Sequence, residues 1–549
     1  MLFNSHVFLF LFLPACLTLV YLASFLGQRV SGKIALILAS LAFYAYWRVD
    51  HVWIILASIL VNYFGVRLTS RLPEPTARSA GLAILVSFNL GLIGVFKYLG
   101  LIVETYSDLT GVTAAAISLA LPLGISFFSF QQIAYVIDFH RGGRRDDGLI
   151  DYSLAVLFFP HLIAGPLVKY RALIDQFSSR RLKSSDTNEL ASPSDAADKT
   201  VGSETPADEP RLFRPTQATV AAGLTIVAIG LFKKVFLADS FAVYANTIFN
   251  AAESGISLAT KDAWIGAVSF FFQIYFDFSG YSDMAVGLAL FFGIKLPANF
   301  LSPYMSRSIV EFWRRWHITL SNFLRDYVYI SLGGNRHGVI RRHINLLLTM
   351  LIGGLWHGAS WTFVVWGGLH GVYLVINHLY SALRKRIPFG QHRTERAFYW
   401  LLTLFAVLIA WVYFRAESFG GAHRLLTAMF DFQSAGGEKL LIYETHASTL
   451  PGQIARAFKE LHFSRFGMQS FWLSLALLAA CITFLLPNTY ELFARHRAVE
   501  GDLPASLRTA PLVKLHWRPS IAWLLATSVM LTIGLLSITQ VAQFIYFEF

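Results

Sequence analysis

The chain has 549 residues, of which 55% are hydrophobic and only 14% charged, against roughly 25% charged in an average soluble domain. That composition excludes an ordinary water-soluble domain and marks a polytopic membrane protein. The net charge of +12 invites a nucleic-acid reading, but the basic residues gather in short loops between apolar runs, where the positive-inside bias accounts for them, so no nucleic-acid partner is implied.

Apolar runs fall near 7–26, 34–47, 52–66, 81–102, 115–137, 216–237, 263–293, 343–356, 359–380, 398–414, 469–487 and 521–547. They are continuously apolar, with no alternation of period two, so the fold class is all-α: a polytopic helical membrane protein of about eleven transmembrane spans rather than a barrel. Met1 to Leu26 carries no basic residue ahead of its apolar stretch and reads as a retained first span, not a cleaved signal. Loop 27–33 carries Arg29 and Lys33, loop 67–79 carries Arg67, Arg71 and Arg78, and loop 138–150 carries Arg141, Arg144 and Arg145. Loop 103–114 holds Glu104 and Asp108 and no basic residue, so alternate loops face the cytoplasm and the amino terminus lies outside it. Cys16 and Cys481 sit inside apolar runs, where a thiol is neither a disulfide partner nor a nucleophile.

From Ser178 to Glu209 the chain lacks aromatics and is rich in Ser, Asp, Glu and Pro. Such a segment cannot bury enough apolar surface to offset its ordering entropy and reads as a disordered cytoplasmic linker. It divides the chain into an amino-terminal membrane block (1–177), the linker (178–212) and a carboxy-terminal membrane block (213–549). A polar stretch at about 416–467 is expected outside, and a basic one at 488–520, with Arg495, Arg497, Arg508, Lys514 and Arg518, inside. There is no internal repeat, which weighs against a transporter built from duplicated halves.

The chemistry concentrates in two motifs of the second block. Ser308, followed three residues later by Glu311, is a capping-box pattern that predicts a helix from there to about Tyr327. At 100° per residue it would align Arg314, His317, Ser321 and Arg325 within an arc of roughly 80°, with Phe312, Trp316, Leu320, Phe323, Leu324 and Tyr327 on an apolar face and Arg315, Asn322 and Asp326 on a third strip. An Arg-His-Ser-Arg stripe suits an anionic group, such as the phosphates of a coenzyme, beside a residue that handles protons. The plain alternative is an interfacial helix with snorkelling arginines.

The second motif, IGGLWHGASWTFVVWGGLH (Ile352 to His370), sets His357 between Gly353, Gly354 and Gly358. Basic loops on either side make 343–356 and 359–380 a hairpin whose bend carries His357 deep into the protein. An ionisable residue there is by default a functional candidate, suited to act as a base, with a hydrogen-bonded structural histidine as the alternative. His161 lies near a Gly-Pro break that suggests a re-entrant segment. His51, His370 and His378 read as structural, while Asp277 and Asp283, inside an apolar run, are expected to be paired or to face a channel. No phosphate loop, zinc-spaced His/Cys cluster or Gly-x-Ser-x-Gly elbow is present, so neither a metal nor a bound cofactor is expected.

FWRRWHITLSNFLRDYVYISLGGNR (Phe312 to Arg336), followed closely by GLWHGASWTFVVWGGLHG (Gly354 to Gly371), resembles the membrane-bound O-acyltransferase family. LPLGISFFSFQQIAYVIDFHRG (Leu121 to Gly142), LFFPHLIAGPLVKY (Leu157 to Tyr170), YFDFSGYSDMAVG (Tyr275 to Gly287) and the terminal FIYFEF (Phe544 to Phe549) are similar to its bacterial branch that serves alginate O-acetylation, to which teichoic-acid D-alanyl transfer also belongs. The resemblance implies a helical membrane enzyme around a central channel, with His357 catalytic and His317 as the second active residue. Arg314, Ser321, Asn322, Arg325 and Trp356 would bind substrate or donor. It further implies an acyl group, acetyl in the leading reading, taken from acetyl-CoA or an acyl carrier on the cytoplasmic side of a bacterial inner membrane. The acceptor would be an exported polysaccharide or an extracytoplasmic acetyltransferase that relays the group. D-alanyl transfer to teichoic acid and a non-catalytic polysaccharide or lipid-carrier transporter are the rival readings.

Overall fold

The computed structural model describes residues 1–27, 29–112, 119–142, 147–177, 212–384, 393–431, 468–496, 498–500 and 515–538. The expected linker from Ser178 to Glu209, much of the two polar stretches and the terminal Phe544 to Phe549 motif lie outside them.

Every regular element among the described residues is a helix. Five are long and apolar enough to cross a membrane: Val7–Leu26, Val49–Ser70, Pro75–Thr110, Gln217–Glu253 and Thr394–Arg415, with the shorter apolar helices Phe471–Phe484 and Ile521–Leu536 beside them. The helices Thr260–Phe291, Gly338–His357 and Trp361–Arg384 occupy other expected spans. Thr260–Phe291 is buried along almost its whole length from Ala263 onward, so its polar residues face protein rather than lipid.

That central helix packs against Gln217–Leu231 through two glycine pairs. A Cβ on Gly223 would stand 2.9 Å from the Gly287 carbonyl oxygen, and one on Gly230 would stand 2.6 Å from that of Gly280. The pairing of 223 with 287 and 230 with 280 is that of two antiparallel helices in backbone contact, which only a missing side chain permits. The close approach brings charges together. Lys233 Nζ reaches Asp283 Oδ2 at 2.7 Å, with Thr489 Oγ1 donating to the same oxygen at 2.7 Å, while Lys234 Nζ reaches Asp239 at 2.7 Å and Asp277 at 2.8 Å. Asp277 and Asp283, expected to be paired or channel-facing, are paired. An isolated charge at this depth would cost several kcal/mol, so both lysines and all three acids meet opposite charges.

Three π-helical turns carry polar residues inward: Gly94–Tyr98 holds Lys97 and Tyr98, Phe232–Ala238 holds the two lysines just described, and Leu324–Tyr329 holds Asp326 and Tyr327. Each wide turn swings side chains off the face that a regular helix would give them. The two membrane blocks are joined by polar contacts as well as apolar packing. Lys169 Nζ pairs with Asp326 at 2.7 Å, the Tyr327 hydroxyl donates to Asp138 at 2.7 Å, and the Leu167 N–H donates to Thr319 Oγ1 at 3.0 Å.

Gly230→Leu is expected to lower the stability of the full chain by about 1–3 kcal/mol, the usual cost of overpacking, whereas Gly91→Leu, with nothing within 4 Å of its Cβ position, should be close to neutral. Thermal melting of the two variants in one detergent checks the difference.

Candidate active site

His357 is the last residue of the Gly338–His357 helix, and Trp361–Arg384 returns beside it. The tight bend depends on glycine, because a Cβ on Gly354 would overlap the Phe363 carbonyl oxygen and one on Gly367 would overlap that of Met350. The expected hairpin is present, and its bend is closed by residues far away in sequence. Lys97 Nζ donates to the carbonyl oxygens of Trp356 at 2.6 Å and His357 at 2.9 Å, and the Tyr98 hydroxyl donates to that of Leu355 at 2.6 Å. These three carbonyls end a helix and have no intrahelical donor, so the half-buried Lys97 amine and a phenol satisfy their hydrogen bonding at the negative end of the helix dipole.

The His357 imidazole is 3% exposed. Its ring stands edge-on to Trp366 at 4.9 Å, Trp356 at 4.9 Å and Phe414 at 5.1 Å between centroids. A cavity of about 40 Å³ lies against it, lined by Lys97, Pro122, Ser126, Phe127, Ile163, Trp356 and His357 among others. That volume holds about one water or a single hydroxyl group. Apart from Trp356 and His357, its walls come from the amino-terminal block.

His317 is fully buried, but the helix expected to carry it is not continuous. Ser308 Oγ accepts the Glu311 N–H at 3.1 Å, which is half of the capping box; the Glu311 carboxylate turns instead to the Arg307 N–H at 2.9 Å and to Arg315. The helix runs only over Ile309–Arg315. Trp316 is extended, and His317 stands at φ 42°, ψ 53°, in the left-handed region, before the chain resumes as Ile318–Phe323 and the π-helical Leu324–Tyr329. Left-handed backbone costs a non-glycine residue about 1–2 kcal/mol. It is held here by bonds to the segment after the central helix: Leu301 N–H to Arg315 O at 2.9 Å and Ile318 N–H to Asn299 O at 3.0 Å. Such strain persists where the surroundings over-determine it, commonly at functional sites.

This break replaces the single polar stripe that a continuous helix would carry. His317 points inward, with Nδ1 3.1 Å from Asn299 Oδ1 and its ring edge-on to Phe278 at 4.6 Å. Arg314 is exposed. Arg325 is exposed and bonds Asp326 at 2.7 Å. Ser321 Oγ donates to the Trp316 carbonyl at 3.2 Å, and Asn322 is half-buried. Arg315 is buried against Glu311 and the Leu301 carbonyl. Trp356 joins the two histidines, with its centroid 4.9 Å from that of His357 and 6.0 Å from that of His317, and it stacks on Phe130 at 5.6 Å.

Two further buried histidines are held by hydrogen bonds, and one of them, His370, shares Trp366 with His357, each 4.9 Å from that ring between centroids. His161 Nε2 lies 3.0 Å from the Ala155 carbonyl oxygen, which makes that nitrogen the donor of a structural bond, and His370 Nδ1 accepts from Trp313 Nε1 at 3.3 Å. Among the described residues no three His, Cys, Asp or Glu side chains converge as metal ligands would. The sequence motifs do not single out Asn299, Lys97 or Tyr98. Lys97 has a readable signal, since a lysine inside the apolar run 81–102 needs a partner; Asn299 has none.

The family model of the membrane-bound O-acyltransferases matches residues 42–419, which contain both histidines and Lys97. The chain belongs to the membrane-bound O-acyltransferase family. This acyltransferase is 41% identical over 438 residues to the "Probable alginate O-acetylase AlgI" of Azotobacter vinelandii, a match that covers 79% of this chain and 78% of that protein. It is 38% identical to the "Peptidoglycan O-acetyltransferase" of Helicobacter pylori, over 78% of this chain and 80% of that one. A "Teichoic acid D-alanyltransferase" of Streptococcus thermophilus is more distant, 25% identical over 53% of this chain and 68% of that protein.

Lys97→Met should strip two buried carbonyls of their donor, at about 1–3 kcal/mol for each group left unsatisfied, and loosen the turn that aims His357. A melting midpoint in detergent well below that of the native protein is the expected outcome; an unchanged midpoint would show that the cap is dispensable.

Proposed function

We propose that this membrane acyltransferase moves an acetyl group from a cytoplasmic thioester, acetyl-CoA or a carrier-bound acyl group, to hydroxyls of an exported polysaccharide such as alginate, in a bacterial inner membrane. The observation that carries this reading is the meeting of two buried histidines across Trp356, beside a cavity the size of one hydroxyl group. The alginate and peptidoglycan O-acetylating relatives support acetyl as the group and a glycan as the acceptor. D-alanyl transfer is the weaker reading, because that match is shorter and more distant.

His357 takes the proton of the acceptor hydroxyl as its oxygen attacks the thioester carbonyl, and the protonated imidazole then returns that proton to the departing thiolate. Lys97, beside the same cavity, acts through the helix end: by holding the Trp356 and His357 carbonyls it keeps the imidazole aimed at the reacting centre. The aromatic walls of Trp356, Trp366 and Phe414 exclude water, which would otherwise hydrolyse the donor. His317 acts as the second polar group on the reacting centre. The exposed guanidinium of Arg314 is suited to donor phosphates; Arg325, Ser321 and Asn322 extend along the same segment, and Trp356 walls the reacting end. The acceptor is either the polymer itself or an extracytoplasmic acetyltransferase that relays the group, and both membrane blocks act as one unit.

Mass spectrometry of the exported polysaccharide tests the reading. With the native protein the polymer should carry acetyl esters, and with His357→Ala or His357→Gln these should fall at least about a hundredfold, the scale of one general-base contribution, at unchanged protein level in the membrane. Close to full acetylation in the Ala variant would sink the assignment of His357. Arg314→Ala should raise the donor concentration needed for half-maximal transfer by about tenfold or more, as expected for one charge-assisted bond; unchanged donor dependence would remove Arg314 from the donor site.

A further inference from the structure

Asn299 lies between the central helix and the strained turn at His317, and it is fully buried. Its Oδ1 receives the Thr319 hydroxyl at 2.9 Å and the Thr319 N–H at 3.3 Å, its Nδ2 donates to Ser282 Oγ at 3.2 Å, and its carbonyl accepts the Ile318 N–H at 3.0 Å. The Thr319 hydroxyl in turn accepts the Leu167 N–H at 3.0 Å, so its own proton is free to point at Asn299.

These contacts decide a question that the imidazole alone leaves open. An amide side chain can be turned end for end, but a backbone N–H can only donate. The atom of Asn299 facing Thr319 N–H must therefore be the oxygen. The same oxygen lies 3.1 Å from His317 Nδ1. An amide oxygen has no proton to give, so Nδ1 must carry one.

We infer that Asn299 is a positioning residue that holds His317 in the Nδ1–H tautomer and so makes Nε2, on the far side of the ring, its basic nitrogen. The inference rests on the acyl-transfer reading for its catalytic meaning and on geometry for the tautomer. Nδ1 is bound toward the segment after the central helix, and the Trp356 ring that also touches His357 lies 6.0 Å from the His317 ring between centroids. His317 thus meets the reacting centre as an acceptor of a proton or hydrogen bond, not as a neutral donor. It can steady the acceptor hydroxyl while His357 removes its proton, or hold the protonated His357 after transfer. The left-handed backbone at His317 serves the same end, because a continuous helix would carry the ring away from Asn299.

The test is nitrogen-15 solid-state NMR of the full chain, labelled at histidine and reconstituted in liposomes, with the His317 signals identified by their loss in His317→Gln. The native protein should show His317 protonated at Nδ1 and bare at Nε2. Asn299→Leu, or Asn299→Ala if the larger side chain is not accepted, should shift the population toward the Nε2–H form and lower polymer acetylation at least tenfold. Asn299→Asp, which keeps an acceptor oxygen, should retain the Nδ1–H form and recover part of the acetylation lost in Asn299→Leu. An Nε2–H tautomer in the native protein, or a tautomer unmoved by Asn299→Leu and Asn299→Ala, would overturn the inference. The NMR result stands on its own: if the polymer carries no acetyl even with the native protein, the functional reading fails while the tautomer of His317 is still decided by the nitrogen signals.

Discussion

The contact on which the site depends is a lysine ending another element's helix. Lys97 and Tyr98, on a π-helical turn of the amino-terminal block, satisfy the last three carbonyls of the helix that ends at His357. A helix stopping inside a membrane protein leaves bare carbonyls where no water can reach them, and each costs as much as a lost hydrogen bond or more. The solution used here brings a lysine amine to the negative end of the helix and, by the same contact, fixes one side of the cavity beside the His357 imidazole. The contact therefore ties a turn near the start of the chain to the helix that ends at His357. One half supplies the histidines, and the other supplies the cap and most of the cavity wall.

Around this contact, the protein accommodates charge in the interior by pairing it. Glycines at 223, 230, 280 and 287 let two helices touch backbone to backbone, and the proximity allows Lys233 and Lys234 to meet Asp283, Asp239 and Asp277. Removing one partner would strand a buried ion, while the intact set fixes the rotation of the central helix. That rotation presents Phe278 and Ser282 to the His317 turn, so the ion pairs and the histidine share one rigid frame.

Much of this is readable from residue order. Apolar runs without alternation specify helices, the intramembrane acids point to paired or channel-facing charges, and the glycines around His357 predict a close-packed bend. The motif resemblance leads to the family that the comparisons establish. What cannot be read is where helical periodicity fails. Ser308 and Glu311 start a helix correctly, but nothing in FWRRWHITL announces that Trp316 leaves it and that His317 adopts left-handed backbone. That conformation is imposed by residues 299–301, which lie next to the turn only after folding. The expected Arg-His-Ser-Arg stripe therefore parts into an inward histidine, an exposed arginine at 314 and an arginine paired with Asp326. Asn299 is invisible for the same reason, since an asparagine in a loop carries no periodic signal.

If Lys97 serves the reaction through the end of the helix that bears His357, the two residues must act as one unit. A double-mutant cycle on acyl transfer by the reconstituted full chain examines this, comparing Lys97→Met, His357→Gln and the pair. Residues acting as one unit are non-additive, so the double variant should be no slower than His357→Gln alone. Losses that multiply, with the double variant slower by the full product of the two single effects, would show that Lys97 and His357 act independently and that the helix cap is not how the lysine contributes.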